Sequence, residues 1–303
     1  MRALITGITG FTGGYVAQAL RDAGWEVVGL GSQAGDGDPA YRQVDLGDAE
    51  GLRRAVADWR PDAVIHLAAV AFVGHDDAEA FYRVNLIGTR ALLAALAGAD
   101  HAPGCVVLAS SANVYGNAAG GRLSDNAAAG RLSEATPPAP ANDYAVSKLA
   151  MEQMAALWHE RLPLVIVRPF NYTGVGQSER FLLPKIVAHF RRRAARIELG
   201  NLDVWRDFSD VRAIAQAYRG LLELRPAGRT LNLCSGRLYS LREVLAMAAE
   251  ISGHTLEVDV NPAFVRASEV RRLCGDPTQL RALLGDWDTP PLEQTLRWML
   301  EAQ

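Results

Sequence analysis

Ala3-Leu4-Ile5-Thr6-Gly7-Ile8-Thr9-Gly10-Phe11-Thr12-Gly13 stands near the start of the 303-residue chain, and its reading decides the fold. Residues 3–6 form a short apolar strand, and Val16, Ala19 and Leu20 recur at helical spacing over 12–23. Between them lie three glycines, each three residues from the next. A strand that turns through glycines straight into a helix gathers backbone N–H groups and the positive end of the helix dipole at one point. Residues lacking Cβ let an anion approach that point closely. In this setting the pattern predicts a pyrophosphate site built by Gly7, Gly10, Phe11, Thr12 and Gly13.

Outward from this turn, short apolar runs alternate with helical patterns. Strands are predicted over 26–30, 63–67, 105–109 and 164–167, and helices over 52–59, 78–96 and 144–159. Near-continuous apolar strands separated by helices predict a parallel sheet covered on both faces, the α/β doubly wound (Rossmann) class. Beyond Pro169 the rhythm changes, with helices predicted over 181–193, 210–224, 241–251 and 294–301 and strands over 230–234 and 256–260. This predicts a dinucleotide-binding domain over 1–170, with 204–226 packing back on it. A smaller mixed α/β lobe then takes 171–203 and 227–303.

Composition narrows the function. A net charge of −3 and 49% hydrophobic residues exclude a non-specific nucleic-acid or anionic-membrane binder, which needs a dense positive field. Three scattered cysteines, Cys105, Cys234 and Cys274, offer neither a CxxC pair nor a disulfide framework, so no metal site is expected. There is no signal-peptide segment and no apolar run long enough for a bilayer, which predicts a cytoplasmic protein with no membrane partner. Of the 31 basic residues only Lys148 and Lys185 are lysines, leaving 29 arginines, so a lysine here carries information. Between Tyr115 and Tyr144, Gly121-Arg122-Leu123-Ser124-Asp125 recurs as Gly130-Arg131-Leu132-Ser133-Glu134. This reads as a tandem copy in a tolerant surface loop, or as a lid over a cleft.

The end of the second strand bears on the cofactor. An acid there would bind the adenosine ribose and repel a 2′-phosphate. The sequence has Leu30-Gly31-Ser32 instead, so nothing repels NADP, and Ser32 is placed to bond a phosphate oxygen. The expectation is NADPH in preference to NADH. Asp45 is read either as the partner of the adenine amino group or as a loop-capping residue.

Tyr144-Ala145-Val146-Ser147-Lys148 puts Tyr144 and Lys148 on one helix face. A free phenol titrates near ~10, and an adjacent ammonium is expected to lower that value and make Tyr144 the general acid for carbonyl reduction. In a chain with eight Tyr and two Lys such a pair arises by chance in only about 0.05 chains. Ser111 follows a strand in Ala109-Ser110-Ser111-Ala112-Asn113-Val114-Tyr115-Gly116, where it can bond the same carbonyl oxygen.

These motifs, with His66-Leu67-Ala68-Ala69, Asn85-Leu86-Ile87-Gly88-Thr89 and Arg168-Pro169-Phe170-Asn171, resemble the extended short-chain dehydrogenases/reductases that modify nucleotide sugars. The resemblance runs over nearly the whole chain. It implies Ser111, Tyr144 and Lys148 as the catalytic set, with Lys148 also on the nicotinamide ribose. It implies Leu46, Leu67, Ala68 and Ala69 beside the cofactor, and Asn85 ordering the substrate side. Gly200-Asn201-Leu202-Asp203-Val204-Trp205-Arg206-Asp207-Phe208 is similar to the corresponding segment of enzymes acting on GDP-mannose and its 4-keto-6-deoxy product. By resemblance Asn85, Asn171, Lys185, Arg206, Arg266 and Glu269 are the substrate contacts, Asn171 and Arg206 at the pyrophosphate.

Dehydratases of this kind place acid/base groups between the catalytic Ser/Thr and the next Tyr; here those positions are Ala112 and Asn113. The expected reaction is therefore reduction of the C4 ketone of a GDP-4-keto-6-deoxy sugar. A nucleotide-sugar 4-epimerase is the first alternative, and a dehydratase or a non-catalytic NADP-sensing protein are weaker ones. By resemblance, helices 78–96 and 144–159 would pair in a homodimer, which could extend to a tetramer.

Overall fold

The computed structural model describes residues 1–35, 37–72, 77–116, 130–264 and 270–302. The first strand, β1 (Arg2–Thr6), leads through the glycine turn into α1 (Phe11–Asp22), followed by β2 (Glu26–Gly31), β3 (Tyr41–Gln43), α2 (Ala49–Trp59) and β4 (Ala63–His66). Next come α3 (Ala78–Ala80) and α4 (Thr89–Ala97), joined end to end by a π-helical stretch, Phe81–Gly88, then β5 (Val106–Ala109), α5 (Asp143–Ala156) and β6 (Leu164–Pro169). The seventh strand, β10 (Thr230–Leu233), completes a parallel sheet of order β10-β6-β5-β4-β1-β2-β3. The doubly wound fold is as expected. Residues 230–233 lie in this large sheet, not in the smaller lobe to which the sequence reading assigned them.

Two apolar layers hold the sheet. One face packs α1, through Val16, Ala17 and Leu20, and α7 (Val211–Leu224), through Ile214, Ala217, Tyr218 and Leu221. The other packs α2, α4 and α5 through residues such as Leu52, Val56, Leu92, Leu96, Met151 and Ala155. Each such fully buried aliphatic side chain contributes roughly 1.5–3 kcal/mol, so strand and helix periodicities both settle on one arrangement.

The strand order reverses between β1 and β4. In such a sheet the crevice outside the carboxyl ends of these strands is the binding site. The sequence did not foresee β7 (Asn171–Thr173), β8 (Arg196–Leu199), β9 (Trp205–Asp210), β11 (Leu238–Ser240) or β13 (Arg272–Leu273), which are short and rich in polar residues. With α6 (Leu182–Arg191), α8 (Leu241–Ser252), β12 (Glu257–Val260), α9 (Thr278–Leu284) and α10 (Leu292–Glu301) they complete the chain. A second core gathers Leu183, Ile186, Phe190, Phe208, Val244 and Leu296. Among the described residues no helix is long and apolar enough to cross a membrane.

The second copy of the duplicated segment is docked: Leu132 is buried, its N–H bonds the Cys274 carbonyl (2.8 Å) and its carbonyl accepts from Asp276 N (3.0 Å). The Glu134 carboxylate takes Asn232 N (2.8 Å) and Gln279 Nε2 (2.9 Å). The first copy, 121–125, lies outside the described residues.

Candidate active site

At the carboxyl end of β1 the glycine turn is closed by backbone contacts. Gly7 has φ +75°, its N–H bonds Leu30 O (2.7 Å), and its carbonyl accepts from Gly10 N (3.0 Å). A Cβ on Gly13 would lie 2.2 Å from that same carbonyl oxygen, and one on Gly7 would lie 2.9 Å from Ala68 N. Gly10 caps α1 with no side-chain bond, leaving the first-turn N–H groups without intrahelical acceptors. A cradle that any Cβ would fill, opening onto free N–H donors, fits a dinucleotide pyrophosphate.

The side chains of Phe11 and Thr12 turn the other way. Phe11 stacks on Tyr172, with ring centroids 6.3 Å apart, and Thr12 Oγ1 shares a 2.8 Å hydrogen bond with the Tyr172 hydroxyl. Both serve the cradle through their backbones, and their side chains bind β7 to it.

Beyond the glycine turn, Leu67, Ala68 and Ala69 follow β4 and are partly buried, while Leu46 is buried against Gly88. Asp45 Oδ1 accepts from Gly47 N (2.7 Å), the turn role allowed by its sequence. Ser32 is exposed, its carbonyl accepting from Gln43 Nε2 (3.0 Å). Gly31 is backed by Tyr41: a Cβ there would meet the tyrosine oxygen at 2.7 Å, so this strand end has no room for an acidic side chain unless Tyr41 moves.

The helix that carries Tyr144 starts where it does because Asn142 Oδ1 accepts from Ala145 N (2.9 Å). Tyr144, Lys148 and Glu152 then follow one another on a buried face of α5. Ser111 caps the short turn Ala112–Tyr115, its Oγ accepting from Asn113 N (3.1 Å), and it lies close enough to Tyr144 to act on the titration of that hydroxyl. Lys148 Nζ donates to Ala109 O at the end of β5 (2.7 Å). The structure thus brings the three expected residues together beside the crevice.

One electrostatic expectation is corrected. Burial pushes the Tyr144 hydroxyl up to about 12, with Ser111 acting against it; Lys148 is not among the causes. The ammonium is held by a backbone carbonyl, and its own value is pushed down to about 8, again by burial, with Glu152 opposing. At neutral pH Tyr144 therefore carries its proton and Lys148 its charge. That is the protonation state a reductase needs.

Asn85 is also corrected. It sits fully buried in the π-helical stretch, a conformation that recurs at functional sites. Its Oδ1 accepts from Val70 N (2.9 Å), and its Nδ2 donates to Val70 O (3.2 Å) and Ser147 Oγ (3.1 Å). Ser147 Oγ in turn donates to Tyr144 O (2.8 Å). Asn85 acts on protein atoms, fastening the exit of β4 to the tyrosine helix, and is not a substrate contact.

The other predicted substrate residues are spread along the second lobe. Asn171 Nδ2 donates to Asp207 O (3.3 Å), and Arg206 lies on the neighbouring strand, bonded to Trp205 O and Arg271 O. Lys185 donates to Glu198 O (2.7 Å) and lies 4.7 Å over the Phe264 ring, away from the Asn171–Arg206 pair. Arg266 and Glu269 lie outside the described residues.

Two side-chain groups at the site were not foreseen. His66 bridges Thr6 Oγ1 (2.6 Å) and Thr89 Oγ1 (2.8 Å), and burial first, then Lys148, pushes it down to about 3, so it is neutral. Glu152 and Arg168 form a buried ion pair one turn below Lys148. The second was legible: Glu152 is four residues from Lys148, and Arg168 stands in a quoted motif.

The profile of the GDP-mannose 4,6-dehydratase family matches residues 4–299. The chain belongs to that family. It is an extended short-chain dehydrogenase/reductase, an oxidoreductase that works with a nicotinamide dinucleotide. Relatives include a GDP-6-deoxy-D-talose 4-dehydrogenase from Aggregatibacter actinomycetemcomitans, 33% identical over 94% of this chain and 92% of that protein. A GDP-6-deoxy-D-mannose reductase from Pseudomonas aeruginosa is 33% identical over 99% and 96%. Among solved structures, a Burkholderia cenocepacia protein provisionally described as an epimerase is 54% identical, with a TM-score of 0.90 over 99% of this chain and 97% of that one. The structure of RMD from Pseudomonas aeruginosa complexed with NADPH gives a TM-score of 0.82 at 32% identity, over 99% and 97%.

Proposed function

We propose that the protein reduces the C4 ketone of a GDP-linked 4-keto-6-deoxy sugar with NADPH in the cytoplasm, converting GDP-4-keto-6-deoxy-D-mannose to GDP-D-rhamnose. The carrying observation is the gathering of Ser111, Tyr144 and Lys148 at the carboxyl end of β5 with no carboxylate at positions 112 or 113. When bound, the dinucleotide supplies the hydride. Ser111 polarises the carbonyl oxygen and Tyr144, protonated at neutral pH, gives it a proton. The two GDP-sugar relatives support the substrate class. Gly31, backed by Tyr41, supports NADPH because the end of β2 itself carries no acidic side chain to repel a 2′-phosphate.

A 4-epimerase is the second reading, favoured by the description of the Burkholderia protein. Incubation with GDP-4-keto-6-deoxy-D-mannose separates the two. A reductase consumes one NADPH per sugar and yields a C4 alcohol visible by NMR, with NADH slower. An enzyme that arrives carrying NAD and turns over no added cofactor is instead an epimerase. The C4 configuration of the alcohol then distinguishes GDP-D-rhamnose from GDP-6-deoxy-D-talose.

The homodimer belongs to the same proposal. Ile87 on the π-helical stretch is 55% exposed and Val146 on the adjoining α5 is 38% exposed, both apolar and outward-facing. The double variant Ile87→Arg/Val146→Arg is expected to halve the mass seen by light scattering. A wild-type protein that is already monomeric would end this part of the reading.

A further inference from the structure

We propose that Glu152 is a positioning residue for the reaction, setting the charge carried by Lys148, and that Arg168 and Ser110 hold its carboxylate in the orientation that does so. The inference rests on reading Lys148 as a catalytic residue.

Lys148 and Glu152 occupy successive turns of one helix face, and both are buried, at 4% and 5% exposure. No ion pair or hydrogen bond joins the two; Lys148 Nζ donates to Ala109 O. The Glu152 carboxylate is instead clamped from the sheet side: Arg168 Nε (2.9 Å) and Nη2 (2.6 Å) donate to its two oxygens, and the Ser110 hydroxyl donates to one of them. Arg168 is fixed in turn. Its Nη1 donates to the Tyr115 hydroxyl (3.0 Å), which donates to Asn232 Oδ1 (2.7 Å), and its guanidinium lies 4.9 Å over the Tyr115 ring. Proton transfer from Tyr144 uses none of these groups, yet they fix one anion under the lysine.

The neighbours of Lys148 leave that role to Glu152. Tyr144 shares its helix, His66 faces it from β4, and Ser110 and Ser111 follow β5; Arg168 stands on β6 behind Glu152. Tyr144 and His66 are neutral near pH 7. Burial pushes Lys148 down to about 8, and the Glu152 charge acts upward. The ammonium is present below that value and lost as pH rises through it, so removing the anion draws the loss toward neutrality. Across one turn, about 6 Å, at an effective dielectric of about 20, a unit charge is worth about two pH units; removing Glu152 together with Arg168, whose charge opposes it, leaves roughly one.

Because the chain has only two lysines, lysine labelled with carbon-13 at Cε gives two side-chain resonances, assigned with the Lys185→Arg variant. The wild-type Lys148 midpoint is expected near 8. In Glu152→Gln, where the Arg168 charge stays, it falls by about two pH units, in the double variant by roughly one, and the alkaline limb of kcat/KM moves with it. The single variant strands a buried Arg168. Where it fails to fold, Glu152→Gln/Arg168→Met, which leaves no unpaired charge, carries the test. A midpoint unchanged in either variant overturns the proposal, as does a wild-type midpoint at the ordinary lysine value of about 10.4. The resonance is read without substrate. A normal titration with no reductase activity would therefore sink the proposed function alone.

Discussion

Tyr144→Phe is expected to lower kcat by about 10²–10⁴-fold while NADPH binding stays within a few-fold of wild type. The substitution removes one oxygen. The ring keeps its edge contact with Phe81, at a centroid distance of 5.9 Å, and its buried place on α5. What disappears is the hydroxyl that burial keeps protonated up to about 12. Neutral His66 is already committed to two threonine hydroxyls, and the Lys148 ammonium to Ala109 O. Single-turnover rates, with NADPH affinity from fluorescence, check the point. A variant retaining more than about a tenth of the wild-type rate would mean that the proton comes from elsewhere. A protein that merely senses NADP would be indifferent to the change.

The positions of these groups were readable from sequence because short-range rules set them. The glycine turn, the i, i+4 spacing of Tyr144 and Lys148, and the placement of Ser111 after an apolar strand each follow from local geometry. What was not readable depends on partners distant in the chain. Whether Asn85 faces substrate or protein is decided by Val70 and Ser147, and the π-helical stretch that turns it inward has no composition signal. The reversal of the tyrosine shift has the same origin. Spacing places an ammonium near a phenol, but Ala109 O, 39 residues away, decides where that ammonium points. β9 escaped notice because Trp205-Arg206-Asp207-Phe208-Ser209-Asp210 does not alternate in polarity. Its buried carboxylates are matched to specific donors, as where Asp207 takes Ser235 N (2.8 Å) and Gly236 N (2.8 Å).

Gly13→Ala is expected to weaken dinucleotide binding by at least about tenfold and to lower Tm, whereas Gly14→Ala next to it does neither. The added methyl at 13 would stand 2.2 Å from Gly7 O and 2.7 Å from both Cα and O of Ile8. These are backbone atoms, and no side-chain rotation relieves them. Gly7 cannot retreat, because its N–H is tied to Leu30 O (2.7 Å) and Ala68 N backs it closely. The turn must open, breaking the Gly10 N to Gly7 O bond that shapes the cradle. Overpacking of this kind costs about 1–3 kcal/mol, and about 1.4 kcal/mol of it felt in the bound state is a tenfold loss of affinity. At position 14 a Cβ meets nothing within 4 Å, so alanine gains helix propensity of up to about 1 kcal/mol and leaves the cradle intact. Calorimetric binding of NADPH and thermal melts of the two variants give the comparison. Equal behaviour of the pair would mean that the close approach of α1 to the turn at Gly13 does not hold the cofactor, and would move the pyrophosphate away from the amino end of that helix.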